Sequence, residues 1–230
     1  MKAVLLFALA MNAAAADMTE IHYLDQEPEQ PAYGSRILIL GERLRMDYGR
    51  DDGNDDGNNK EDFILFDRRE GMVWLVGHGE RRLTGIPALS MKKVAKTAAW
   101  PKGWKFTQER LASEANTLVQ VRLNGQLCVE FKSAPILMEE SRLLRDFRRA
   151  LAGNQAVAWN GTPGALRQPC SLLLDVSEAG LEYLQGLPLA LRYWDGRTRT
   201  YQSHAIRTAQ PALFELPSGY KRFVLNLPAR

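Results

Sequence analysis

Three histidines, His22, His78 and His204, are the chain's whole supply of imidazole, the side chain best suited to general acid–base work near neutral pH. None stands in HxH or HxxxH spacing, which would place two rings together around a metal. No GxSxG elbow, Walker loop or GxGxxG turn occurs either. Gly77-His78-Gly79 is the best candidate for a reactive site, since glycines on both sides expose the imidazole and let backbone approach a ligand. The same tripeptide also suits a plain turn. Carboxylates fall mostly in loops without paired spacing. No enzyme active site, catalytic residue or cofactor is expected.

Two further groups could bind something. Asp52, Asn54 and Asp56 precede Gly57 with the spacing of a calcium loop. The twelfth position is Phe63 rather than a bidentate glutamate, so Asp51 to Asn59 reads as a solvated turn and no metal ligand is assigned. Cys128 and Cys170 are the only cysteines, and they offer no CxxC pair for metal or redox chemistry. In an oxidising compartment an even number of cysteines points to one disulfide.

Such a compartment is what the amino terminus suggests. Lys2 precedes the apolar run Ala3 to Met11, and Ala14 and Ala16 fit an A-x-A cleavage site before Asp17. The run is too short to span a bilayer, which takes about 20 residues. Residues 1–16 are therefore expected to be a signal peptide, 17–230 a single mature domain, and the location periplasmic. The net charge of +3 falls by one with Lys2, too small a surplus to argue for nucleic acid.

The elements that position these residues read mainly as short strands. Arg36 to Leu40 and Arg43 to Tyr48 flank a turn at Gly41-Glu42; Phe63 to Asp67 and Met72 to Val76 flank Arg68 to Gly71, with Glu80 to Leu83 extending the meander. Asn124-Gly125 predicts a tight turn between Leu118 to Leu123 and Gln126 to Phe131. Strict pairing would put Val119, Val121 and Leu123 on the face opposite Leu127, Val129 and Phe131, so either the loop contains a bulge or both faces meet apolar matter. Asp195-Gly196 predicts a hairpin in which Trp194 opposes Arg197 and Arg192 opposes Arg199, with Tyr201 on the same face. That face reads first as a solvated surface with cation–π contacts and, as the alternative, as a site for an anionic ligand.

Helices are fewer. Ser141 to Leu151 stripes Leu143, Leu144, Phe147, Ala150 and Leu151 against Arg142, Arg145, Arg148 and Arg149, with Gly153 as a stop. The stripe suits covering a sheet, and the arginines leave contact with a membrane surface open. A short helix is expected to start at Asp175, capped with Glu178, and another to cover Leu89 to Ala99.

Gly186-Leu187-Pro188-Leu189 followed by Phe214-Glu215-Leu216-Pro217-Ser218-Gly219-Tyr220 resembles the closing pattern of exported bacterial domains related to the lipoprotein carriers LolA and LolB. Gly41 to Asp47 and the Phe63 to Val76 hairpin look like that family's opening meander. The resemblance covers most of the mature chain; the Asp51 to Asn59 stretch and the cysteine pair depart from it. It implies an α+β fold, an antiparallel β half-barrel with a few covering helices around an apolar cavity. Leu143, Phe147, Val119, Val121 and Trp194 are then the ligand-binding candidates. The function expected is a periplasmic carrier or binding module for an apolar small molecule or lipid, in the setting of outer-membrane biogenesis. The alternative is a non-catalytic factor that docks an envelope protein. A shared fold does not fix function, so lipoprotein transport itself is not carried over.

Overall fold

The structure is a computed structural model describing residues 17–49, 62–98, 100–112 and 116–226. The expected signal peptide over residues 1–16 and the Asp51 to Asn59 stretch lie outside the described residues. The fold is α+β, built on one open sheet of twelve strands. In chain order these are β1 (Asp17–Gln26), β2 (Tyr33–Leu40), β3 (Arg43–Gly49), β4 (Phe63–Asp67), β5 (Met72–Gly77), β6 (Arg82–Pro87), β7 (Phe106–Ala112), β8 (Thr117–Leu123), β9 (Gln126–Ala134), β10 (Leu187–Tyr193), β11 (Thr198–Thr208) and β12 (Lys221–Val224). Across the sheet they lie in the order β12-β6-β5-β4-β3-β2-β1-β11-β10-β9-β8-β7. Every pairing is antiparallel except β12 with β6.

The meander β2 to β5 follows the sequence reading closely, because alternating burial there matches alternating apolarity. The Asn124-Gly125 turn has both φ angles positive, 50° and 86°, the geometry that twists a two-residue hairpin correctly. The register conflict is resolved by a bulge, placed in β9 rather than in the loop. Val121 pairs with Val129 and Arg122 with Leu127, leaving Cys128 as the extra residue. The bulge lets Val119 and Val121 share a face with Phe131 and Val129.

The hairpin at Asp195-Gly196 differs from expectation. Tyr193 N–H donates to the Arg197 carbonyl at 2.9 Å, so the loop holds three residues, Trp194 to Gly196, and the register moves by one. Leu191 opposes Arg199 and Arg192 opposes Thr198. Arg192 and Arg199 therefore point to opposite faces, the first to Glu130 and the second to Asp25.

Three helices occur among the described residues: α1 (Met91–Thr97), α2 (Met138–Gly161) and α3 (Pro169–Ser171), which runs directly into a π-helical turn (Leu172–Ser177). α2 is twice as long as its apolar stripe suggested. Gly153 does not stop it. A Cβ there would stand 2.8 Å from Leu89 Cγ, so the glycine serves close approach, not termination. The helix expected to begin at Asp175 instead ends near it, because Asp175 is held by Arg148 of α2, Nη2 to Oδ1 2.8 Å.

One face of the sheet carries the helices. Leu143, Leu144, Phe147 and Ala150 pack on Ile21, Tyr23, Ile37, Ile39, Leu44, Met46 and Phe66, while Val119, Val121, Val129 and Phe131 meet Leu173, Leu174 and Leu181. The opposite face, over β2 to β6, is covered by the segment 211–220, whose Phe214 packs with Met18, Leu38, Leu65 and Leu83. Gly186, at φ 109°, lets β10 begin beside β9, where a Cβ would fall 2.1 Å from the Ala134 carbonyl oxygen.

Candidate ligand pocket

The residues that hold α3 in place come first. Cys128, forced out of the ladder by its bulge, is bonded to Cys170 at the start of α3, and both are buried. The expected disulfide is present. It fixes the helix that carries Leu173 and Val176 at a set height above β8 and β9. From the other side α1 packs Val94 and Ala98 against Ala152 and Ala156 of α2 and Leu172 and Val176 of the α3 extension. α1 spaces Met91, Val94, Ala95 and Ala98 on one stripe, the pattern of a helix with one covered face.

Where these two helices and the start of β7 fail to close on one another, a cavity of about 430 Å³ remains. Met91, Val94, Ala95 and Ala98 form one wall, Leu173 and Val176 another, and Trp100 and Phe106 a third; Ser177 and Glu178 supply its polar groups. Ala95 and Phe106 are exposed, so the cavity opens to solvent. Trp100 is oriented by its indole N–H, which donates to the Trp104 carbonyl at 3.2 Å, and by edge contacts to Trp104 and Phe106. The volume lies within the usual range of small-molecule sites, roughly 300–1,000 Å³. Chemically the cavity can desolvate an alkyl or ring system. Its lining includes no histidine or cysteine.

A second, polar grouping lies on the same face of the sheet. Asp25 accepts two hydrogen bonds from Arg199, 2.6 and 2.9 Å, and one from Ser35 at 2.6 Å. Burial opposes the Arg199 charge, yet Asp25 holds its guanidinium well above the usual range. Arg148, also enclosed, stays cationic between Asp175 and Glu182. Around this pair Tyr23, Tyr48, Tyr183 and Tyr193 gather; burial pushes each hydroxyl up, that of Tyr193 to about 12. All four stay protonated at neutral pH. Arg199 lies 5.1 Å from the Tyr23 ring centroid. Both cations are matched by carboxylates, the signature of a structural network.

The five ligand-binding candidates are placed differently from the cavity. Leu143 and Phe147 lie in the α2–sheet core, Val119 and Val121 in the adjoining core under α3, and Trp194 is half-buried at that core's rim. They do share the helix-bearing side, but none lines the cavity. The arginines of α2 do not form a free cationic stripe either, since Arg148 turns inward and Arg142 pairs with Glu139. His78 is a turn residue whose Nδ1 shares a 2.6 Å hydrogen bond with the Tyr220 hydroxyl. His22 and His204 lie beside Glu20 and Tyr201. Among the described residues no group of three His, Cys, Asp or Glu side chains could hold a metal ion.

The cavity residues were missed, although a signal was present. Trp100, Trp104 and Phe106 follow the α1 stripe within a few positions, more aromatic surface than one short helix can cover.

No family model and no curated protein matches the chain. Among solved structures, two crystal forms of PNGF-II are similar at 12% identity, with TM-scores of 0.44 and 0.43. The matches cover 92% and 91% of this chain but 31% and 32% of PNGF-II, so the chain spans about a third of that protein's length.

Proposed function

We propose that the protein is an exported, non-catalytic carrier or binding module for an apolar, lipid-like ligand, working in the periplasm. Its sheet forms a half-barrel of the LolA/LolB kind whose helices leave one binding cavity. The observation that carries this reading is the cavity of about 430 Å³ walled by Met91, Val94, Ala98, Trp100, Phe106, Leu173 and Val176. Apolar walls gain about 0.8 kcal/mol for each methylene they remove from water. A ligand is thus selected by chain length rather than by hydrogen-bonded groups. Calorimetric titration with straight-chain alcohols tests the proposal. Affinity is expected to rise roughly threefold to fourfold per added methylene until the cavity is full, and Ala95→Trp, which occupies the mouth, is expected to abolish binding. Saturable binding that ignores chain length and the Ala95 variant would overturn it.

The second reading, docking of an envelope protein, is supported by β7. This strand ends the sheet with its outer backbone edge unpaired among the described residues, and Phe106 and Leu111 are exposed on it. Crosslinking in cells from residues of β7 would return one dominant protein if that reading holds.

A further inference from the structure

Resting on the apolar-carrier reading, we propose that the ligand is an anionic amphiphile, its chain in the cavity and its carboxylate or phosphate head at a lysine rim around the mouth.

The rim is legible in the distribution of charge. Five of the chain's nine lysines, Lys92, Lys93, Lys96, Lys102 and Lys105, fall between Met91 and Phe106, and from Arg81 to Gln108 there is no aspartate or glutamate. This interval supplies two of the three cavity walls. On α1, Lys92 and then Lys96 follow round the helix from the exposed Ala95 edge of the lining stripe, while Lys93 falls on the far side; Lys105 directly precedes Phe106, and Lys102 lies two positions beyond Trp100. All five side chains are exposed. Among the described residues every ion pair is made by an arginine or a histidine, so these ammonium groups have no ion-pair partner among them.

What sets the patch apart is the gathering of like charge without a nearby acidic residue in the sequence, whereas Arg36, Arg69, Arg192 and Arg207 elsewhere on the surface each sit beside a carboxylate. Unpaired like charges gathered at one opening repel one another and raise the local potential. An anion seated there relieves the repulsion, and an apolar tail below it is desolvated by Val94, Trp100 and Leu173. The lone carboxylate of the lining, Glu178, lies within electrostatic reach of Arg145, which offsets its charge. Indole and phenyl rings beside lysines at an opening also suit the boundary between headgroup and chain.

The test compares three probes of equal chain length, dodecanoate, dodecanol and dodecyltrimethylammonium, by calorimetry at low and moderate salt. Dodecanoate is expected to bind at least about tenfold tighter than the cationic probe, with the preference shrinking as salt screens the rim. Lys92→Glu with Lys105→Glu, whose exposed side chains make no ion pair or hydrogen bond among the described residues, is expected to cancel that preference while leaving dodecanol affinity unchanged. Equal affinity for all three probes, or a preference untouched by the double reversal, overturns the anionic-head proposal and leaves the apolar carrier standing. Failure of dodecanol to bind removes the carrier reading itself. Sedimentation with phosphatidylglycerol vesicles separates the two sources of head: vesicle binding unchanged in Ala95→Trp, with no uptake of free dodecanoate by the unmodified protein, would mean surface docking and also overturn the proposal.

Discussion

Replacing Cys128 and Cys170 together by alanine removes a covalent link across 42 residues of chain. In the loop-closure description a link of that span lowers unfolded-chain entropy by an amount equivalent to about 4 kcal/mol at 25 °C. Native geometry adds a second effect. The bridge joins a bulge in β9 to the start of α3, whose next turns place Leu173 and Val176 in the cavity wall. Without it α3 is held by packing and by the Arg148–Asp175 ion pair alone. We expect urea unfolding of the double variant to show a loss of about 4 kcal/mol relative to the oxidised protein. Hydrogen exchange should show the amides of 170–177 opening more readily than those of β1 and β2. Reducing the unmodified protein should reproduce the loss. A change below about 1 kcal/mol, with α3 exchange unaltered, would refute the idea that the bridge restrains this wall.

Gly153→Val puts a branched side chain where Leu89 already stands, and thermal unfolding should show a loss of roughly 1–3 kcal/mol from overpacking. Asp25→Ala strands the enclosed Arg199 without its two hydrogen bonds; a loss of about 3–5 kcal/mol is expected by chemical denaturation, and Asp25→Leu with Arg199→Met should be milder because no charge is left behind. Glu20 is pushed up by burial, but hydrogen bonds from Arg207 and His22 outweigh this and hold it below the usual carboxylate range. A lowered folded-state pKa means stability present above the unfolded-state value and lost as pH falls through the folded one. Glu20→Gln should therefore destabilise by about 0.5–1 kcal/mol at pH 7, and the difference should vanish in acid; a difference that grew in acid would contradict the pairing.

Strands were readable where each residue's burial depends on its own strand's alternation. β2 to β5 and the Asn124-Gly125 turn are of this kind, since period-two apolarity and a positive-φ dipeptide are local properties. β1 and β7 went unassigned although Ile21 and Tyr23 alternate clearly: β1 takes one of its two partners, β11, from the far end of the chain, while β7 forms a local hairpin with β8 but is exposed along 106–111 and so shows no alternating burial. The loop of the last hairpin could not be sized from Asp195-Gly196, because two- and three-residue loops differ by a single backbone hydrogen bond. The same limit moved Arg199 from a surface face to the Asp25 network. The ligand candidates were chosen as apolar residues on the helix-bearing side, but apolarity marks burial, and burial alone does not tell a packed core from a cavity wall.

The sequence by itself determined the α+β character of the chain, most of its meander, the apolar stripe of α2 and the pairing of its two cysteines. Each of these follows from residue type and short-range periodicity. Tertiary structure alone decided the bulge at Cys128, the full length of α2 through Gly153, the inward turn of Arg148, and the opening between α1, α3 and β7. A cavity is the volume that several elements together fail to fill, and no one of them encodes it.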